Sequence, residues 1–133
     1  MSGWGLIDTF GCARTGMSVH GDMRAFWKGV SMVVERLTFQ VVKADHAAWL
    51  EADARSWTPF LAAQDGFVSK QVWAQRDRPD ELQAVILWES EAQWKAIPTV
   101  ELEATEALMG DMKRPLVCHT FDVLASSGPR QAG

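Results

Sequence analysis

The chain has 133 residues with 47% hydrophobic and 23% charged side chains, the make-up of one ordinary globular domain large enough to bury a core. Its net charge of -4 excludes nucleic acid and anionic membrane as expected partners, since both select basic surfaces. Seven Trp and no Tyr is the unusual feature, and it requires several indoles to sit in a core or an interface.

Residues 1–31 carry six glycines and show neither helical nor alternating periodicity. They lack the basic start and apolar core of a signal peptide. An irregular or disordered extension is the expectation, the alternative being that Trp4, Phe10, Phe26 and Trp27 pin the segment onto the domain. The domain is expected over residues 32–125, with a polar tail over 126–133.

Val33 to Val42 alternates, with Val33, Glu35, Leu37, Phe39 and Val41 on one face, as in a half-buried strand. Asp45 then stands where it can cap a helix in which Leu50, Ala54, Trp57 and Leu61 recur at helical spacing. Thr58-Pro59 reads as an interruption and restart, and Asp65-Gly66 as a turn. Phe67 to Gln75 is the second strand, with Phe67 and Trp73 expected on one side and Val68, Val72 and Ala74 on the other. A polar connection from Arg76 to Glu81 leads to a third strand ending at Trp88.

Ser90-Glu91-Ala92-Gln93 matches a capping box, and the short helix it opens is broken at Pro98. Thr99 is expected to cap the continuation, whose apolar positions are Leu102, Ala104, Leu108, Met109 and Met112. Leu116 to Leu124 is the fourth strand, with Val117, His119, Phe121 and Val123 on one face.

The order β-α-β-β-α-β predicts an α+β, ferredoxin-like domain: a four-stranded antiparallel sheet with two broken helices on one face. The other face, bearing Val34, Thr38, Val68, Val72, Val85 and Leu87, needs a cover, and a homodimer pairing sheet on sheet supplies it. Cys12 and Cys118 make at most one pair, and reduced cysteines in a cytoplasmic protein are the simplest expectation.

Glu35-Arg36-Leu37-Thr38, Asp65-Gly66-Phe67 and Trp88-Glu89-Ser90-Glu91 together resemble the antibiotic-biosynthesis-monooxygenase-like family of dimeric α+β barrels, over about residues 33–123. Trp57-Thr58-Pro59, Trp73 and Trp94-Lys95-Ala96-Ile97-Pro98 are similar to a subgroup of small bacterial proteins, cyanobacterial ones included. The resemblance implies the dimeric barrel, and binding or oxygenation of an aromatic, quinol-like molecule with no metal, flavin or other cofactor. Haem degradation is not implied. That branch's Asn position falls on Glu35, its Trp position near Ile97, and its His position between Glu103 and Leu108, where there is no His.

Two residues are candidates for proton transfer. Glu35 shares a face with Leu37 and Phe39, where burial in a regular strand raises a carboxylate's pKa and makes a general base, the alternative being a strand end open to water. His119 is the one histidine on a strand face. Trp57, Trp73, Trp88 and Trp94, with Phe39, can wall a flat aromatic pocket, or the same rings can fill a core and an interface. No spacing of His, Cys, Asp and Glu matches a metal site. The two function classes are thus a cofactor-free oxygenase and a non-catalytic dimeric binding module with a Trp-filled interior.

Overall fold

A computed structural model describes residues 32–128, so the expectations for residues 1–31 and for the end of the tail lie outside it. Strand β1 (Val33–Gln40) follows the alternation read from the sequence: Val33, Glu35, Leu37 and Phe39 are buried. Helices α1 (His46–Arg55) and α2 (Trp57–Ala62) follow, then β2 (Phe67–Trp73) and β3 (Glu81–Trp88). Helices α3 (Glu91–Lys95) and α4 (Thr99–Ala107) lead to β4 (Leu116–Asp122). The sheet order is β2-β3-β1-β4 with every neighbouring pair antiparallel, the expected ferredoxin-like arrangement.

The breaks have local causes. Pro59 cannot donate to the carbonyl of Arg55 and its ring crowds that carbonyl, so a continuous helix is impossible there. The chain breaks two residues before the expected Thr58, at Ser56, with φ -117° and ψ -73°. Pro59 then lies in the first turn of α2, where an amide hydrogen is not needed. Pro98 itself occupies the N-cap position of α4, and Thr99 is the first helical residue rather than the cap. Ser90 does cap α3: its hydroxyl accepts from the Gln93 amide at 3.2 Å and meets the Gln93 side chain at 2.9 Å. Asp45 stands at the N-cap of α1 without capping it, and accepts instead from Arg114 at 3.0 Å.

Three apolar stripes differ from expectation. On α1 the buried positions are Trp49, Ala52 and Asp53, while Leu50 is 41% exposed, because the bulkier indole takes the core side. On α4 they are Leu102, Thr105 and Glu106, and Leu108 is exposed. In β2 a register shift between Phe67 and Ser69 reverses the alternation. Phe67 and Val72 therefore both pack against the core, and Trp73 faces outward.

Gly66 holds φ +86°, and its carbonyl accepts from Glu89 at 2.7 Å. A Cβ there would lie 2.6 Å from Cβ of Gln93, so the turn before β2 and the start of α3 touch backbone to side chain. The core between sheet and helices gathers Leu37, Phe39, Trp49, Ile86, Trp88 and Trp94, among others. Cys118 on β4 is disulfide-bonded, which corrects the expectation of reduced cysteines and removes their support for a cytoplasmic setting. Such a bond requires two Cβ atoms to approach to about 4 Å, which no local pattern reports. Among the described residues no helix is long and apolar enough to cross a membrane.

Candidate functional site

The alternation of β1 turns Glu35 toward the helices, and the residue is 5% exposed. A carboxylate in such a place needs hydrogen-bond donors, because burying an unpaired charge costs several kcal/mol. One donor comes from β3. Glu35 is opposite Ile86 in the ladder, so Trp88, two residues on, projects from the same face and reaches Glu35 diagonally. Its indole Nε1–H donates to Glu35 Oε1 at 3.1 Å. The ring is fully buried and meets Phe67 edge to face, with centroids 6.0 Å apart. The carboxylate is therefore held by an indole that packing itself holds.

The other expected residues divide between two sides of the sheet. Phe39 lies on the helix side with its ring 4.8 Å from that of Trp49. Trp94 is buried on α3, with the Lys95 ammonium 5.7 Å from its ring centroid. Trp57 opens α2 and donates its indole N–H to Glu106 Oε1 at 3.0 Å. His119 is opposite Arg36 in the ladder, so it projects from the outer face and is exposed. Glu35 and His119 are thus on opposite faces. Trp73 also lies outside, 47% exposed, and donates to Gln71 at 2.8 Å. On that outer face the Arg36 guanidinium stands 5.0 Å from the Phe121 ring centroid.

A second polar group on the helix side was absent from the sequence reading. Asp53 on α1 is paired with Lys70 on β2, both side chains more than nine-tenths buried, and Lys70 also donates to Thr58 at 2.9 Å. Near this pair, Glu106 of α4 is 9% exposed. Burial pushes its carboxyl up to about 7, Asp53 adding to the rise while the Trp57 N–H and the Lys113 charge oppose it. A signal for these groups existed. Asp53 follows Trp49 by four positions, and Glu106 follows Leu102 by four, which sets each on a core stripe. Among the described residues no group of His, Cys, Asp and Glu is arranged to hold a metal ion.

No protein-family model matches the chain, and no curated protein matches its sequence. Its fold has clear solved counterparts. A candidate antibiotic biosynthesis monooxygenase from Caulobacter crescentus CB15 superposes with TM-score 0.59 at 17% identity, over 77% of this chain and 99% of that one. A similarly described protein from Nitrosomonas europaea gives 0.56 at 14% identity, over 73% and 94%. A variant of SnoaB from Streptomyces nogalater, a cofactor-independent oxygenase, gives 0.51 at 20% identity, over 72% and 94%. The strand order, the two broken helices on one face and these superpositions establish that the chain has the antibiotic-biosynthesis-monooxygenase-like α+β fold.

Proposed function

We propose that this chain binds an aromatic, quinol-like small molecule and oxygenates it without metal or flavin, as a homodimer. The observation that carries this reading is a buried carboxylate gripped by a buried indole, on the helix side of a fold shared with a cofactor-independent oxygenase. In the proposed reaction Glu35 takes the proton of a phenolic hydroxyl. The substrate anion passes electrons to dioxygen and a carbon–oxygen bond forms. The oxygen–oxygen bond then breaks, one oxygen staying on carbon and the other leaving as water with two hydrogens from the substrate. The substrate is oxidised and dioxygen reduced, with no other reductant. Trp88 acts as a positioning residue, keeping the carboxylate in one orientation.

The homodimer would form through the outer sheet face, where Trp73, Val117 and Phe121 are exposed. Exposed rings and branched side chains on one sheet face are what a second copy covers at least cost.

Oxygen uptake over a panel of hydroquinones tests the reaction. Glu35→Gln should lower any uptake by ~100-fold or more, the scale of a lost general base. Equal rates in wild type and variant would remove Glu35 from the chemistry. The second reading, a non-catalytic dimeric module, is favoured by the burial of Trp49, Trp88 and Trp94, which fill the interior. Absence of uptake over the whole panel would leave that reading in place.

A further inference from the structure

Burial on the helix side of the sheet falls off sharply from β1 to β4. Val33, Glu35, Leu37 and Phe39 of β1 are all buried, yet the residues opposite them in β4 are not. Leu116 and Cys118 are half-buried, while Thr120 and Asp122 are exposed. Strand β4 is also an edge of the sheet, so no further strand lies beyond it. Cys118, in the middle of this face, is disulfide-bonded. The chain has one other cysteine, Cys12, and no cysteine is free.

We infer that Cys118 is bonded to Cys12, and that the segment around Cys12, within residues 1–31, docks on the helix-side face of β4. The occupant of that face is thus part of the same chain. This docking is independent of any reaction at Glu35, and it uses the opposite side of the sheet from the proposed homodimer contact.

The reach is easily met. Val123 donates to the Met32 carbonyl at 3.0 Å, so residues 1–31 join the domain beside the end of β4. Cys118 lies about 17 Å back along that strand. The chain from Cys12 to Met32 can span roughly 66 Å when extended.

The residues around Cys12 also match the face in chemistry. In an extended chain Phe10 and Arg14 share the side of Cys12. On β4 the apolar Leu116 stands just before Cys118 on the same face, and the Asp122 carboxylate stands beyond it. Laid parallel to β4, the segment sets Phe10 over Leu116 and carries the Arg14 guanidinium toward Asp122. Leu116, Cys118, Thr120 and Asp122 include no cation to repel it.

The place of the bond matters for Glu35. Thr120 is opposite Glu35 and Cys118 is opposite Leu37, so Cys118 lies diagonally from the carboxylate on the same face, about 7–8 Å away. Trp88 holds the corresponding diagonal place on β3. A segment docked at Cys118 therefore borders Glu35 on the flank opposite Trp88.

Peptide mapping of the full chain, equilibrated in a glutathione redox buffer and blocked at any free thiol, reads the bond. A Cys12–Cys118 pair within one chain is expected; a Cys118–Cys118 link between two chains, or two blocked thiols, would overturn the inference. Hydrogen exchange reads the docking. In the oxidised protein, amides of residues 8–16 and of β4 should exchange ~10-fold or more slowly than in Cys12→Ser. Phe10→Ala keeps the bond but loses the buried ring, and should speed exchange of residues 8–16 by about tenfold. Exchange of those residues at free-chain rates with the bond in place means a tether without docking and refutes the proposal, as does equal protection in Cys12→Ser. Should that variant fail to fold, the oxidised wild type against Phe10→Ala decides, since both keep the bond.

Discussion

Gly66→Ala tests the contact that joins the two halves of the fold. The backbone at Gly66 has φ +86°, which costs an alanine about 1–2 kcal/mol. Its new Cβ would lie 2.6 Å from both Cβ and Oε1 of Gln93. Oε1 can swing away, but Cβ is fixed to the backbone of α3, so the turn or the helix must shift. Forced repacking of that kind costs roughly 1–3 kcal/mol. The sum is about 3 kcal/mol, or roughly 12–24 °C in melting temperature for a domain of this size. Urea unfolding at fixed pH measures the loss. Gly66→Asn separates the two parts, because asparagine tolerates positive φ but keeps the Cβ. Gln93→Gly removes the opposing atoms, and a double-mutant cycle with Gly66→Ala should give a coupling of about 1–3 kcal/mol. A loss below about 0.5 kcal/mol for Gly66→Ala, or a coupling near zero, would refute the close approach as the cause.

Asp53→Asn leaves Lys70 buried without its anion and should cost about 3–5 kcal/mol by chemical denaturation, while Asp53→Leu with Lys70→Met should recover most of it. A double variant as unstable as the single one would contradict that account. Ser90→Ala should cost about 1 kcal/mol, with early exchange of the α3 amides, since one hydroxyl caps that helix. Light scattering of the wild type should give twice the monomer mass, and Phe121→Asp on the outer face should halve it; a monomeric wild type would remove the homodimer.

Local patterns in the chain determined much of this architecture. The alternation from Val33 to Val41 turns Glu35 inward, because side chains alternate along a strand whose ladder has no bulge, as β1 has none. Pro59 and Pro98 marked both helix breaks, since a missing amide hydrogen acts within one turn. Ser90 and Gln93 marked the start of α3 for the same short-range reason. The count and order of elements followed, and with them the sheet.

Other features were set only when distant segments met. The bulge at the start of β2 reverses the faces of Val72 and Trp73, and depends on how that strand lies against β3. Leu50 and Leu108 are exposed because Trp49 on α1 and Met109, just past the end of α4, occupy the inward positions. The two indole–carboxylate contacts join residues 53 and 49 positions apart, Trp88 with Glu35 and Trp57 with Glu106. Helical and strand periods report which way a side chain points, through sterics that act over a few residues. Which donor meets which carboxylate, and so whether Glu106 keeps its proton at neutral pH, is decided by packing between elements, where burial sets the energy of a charge.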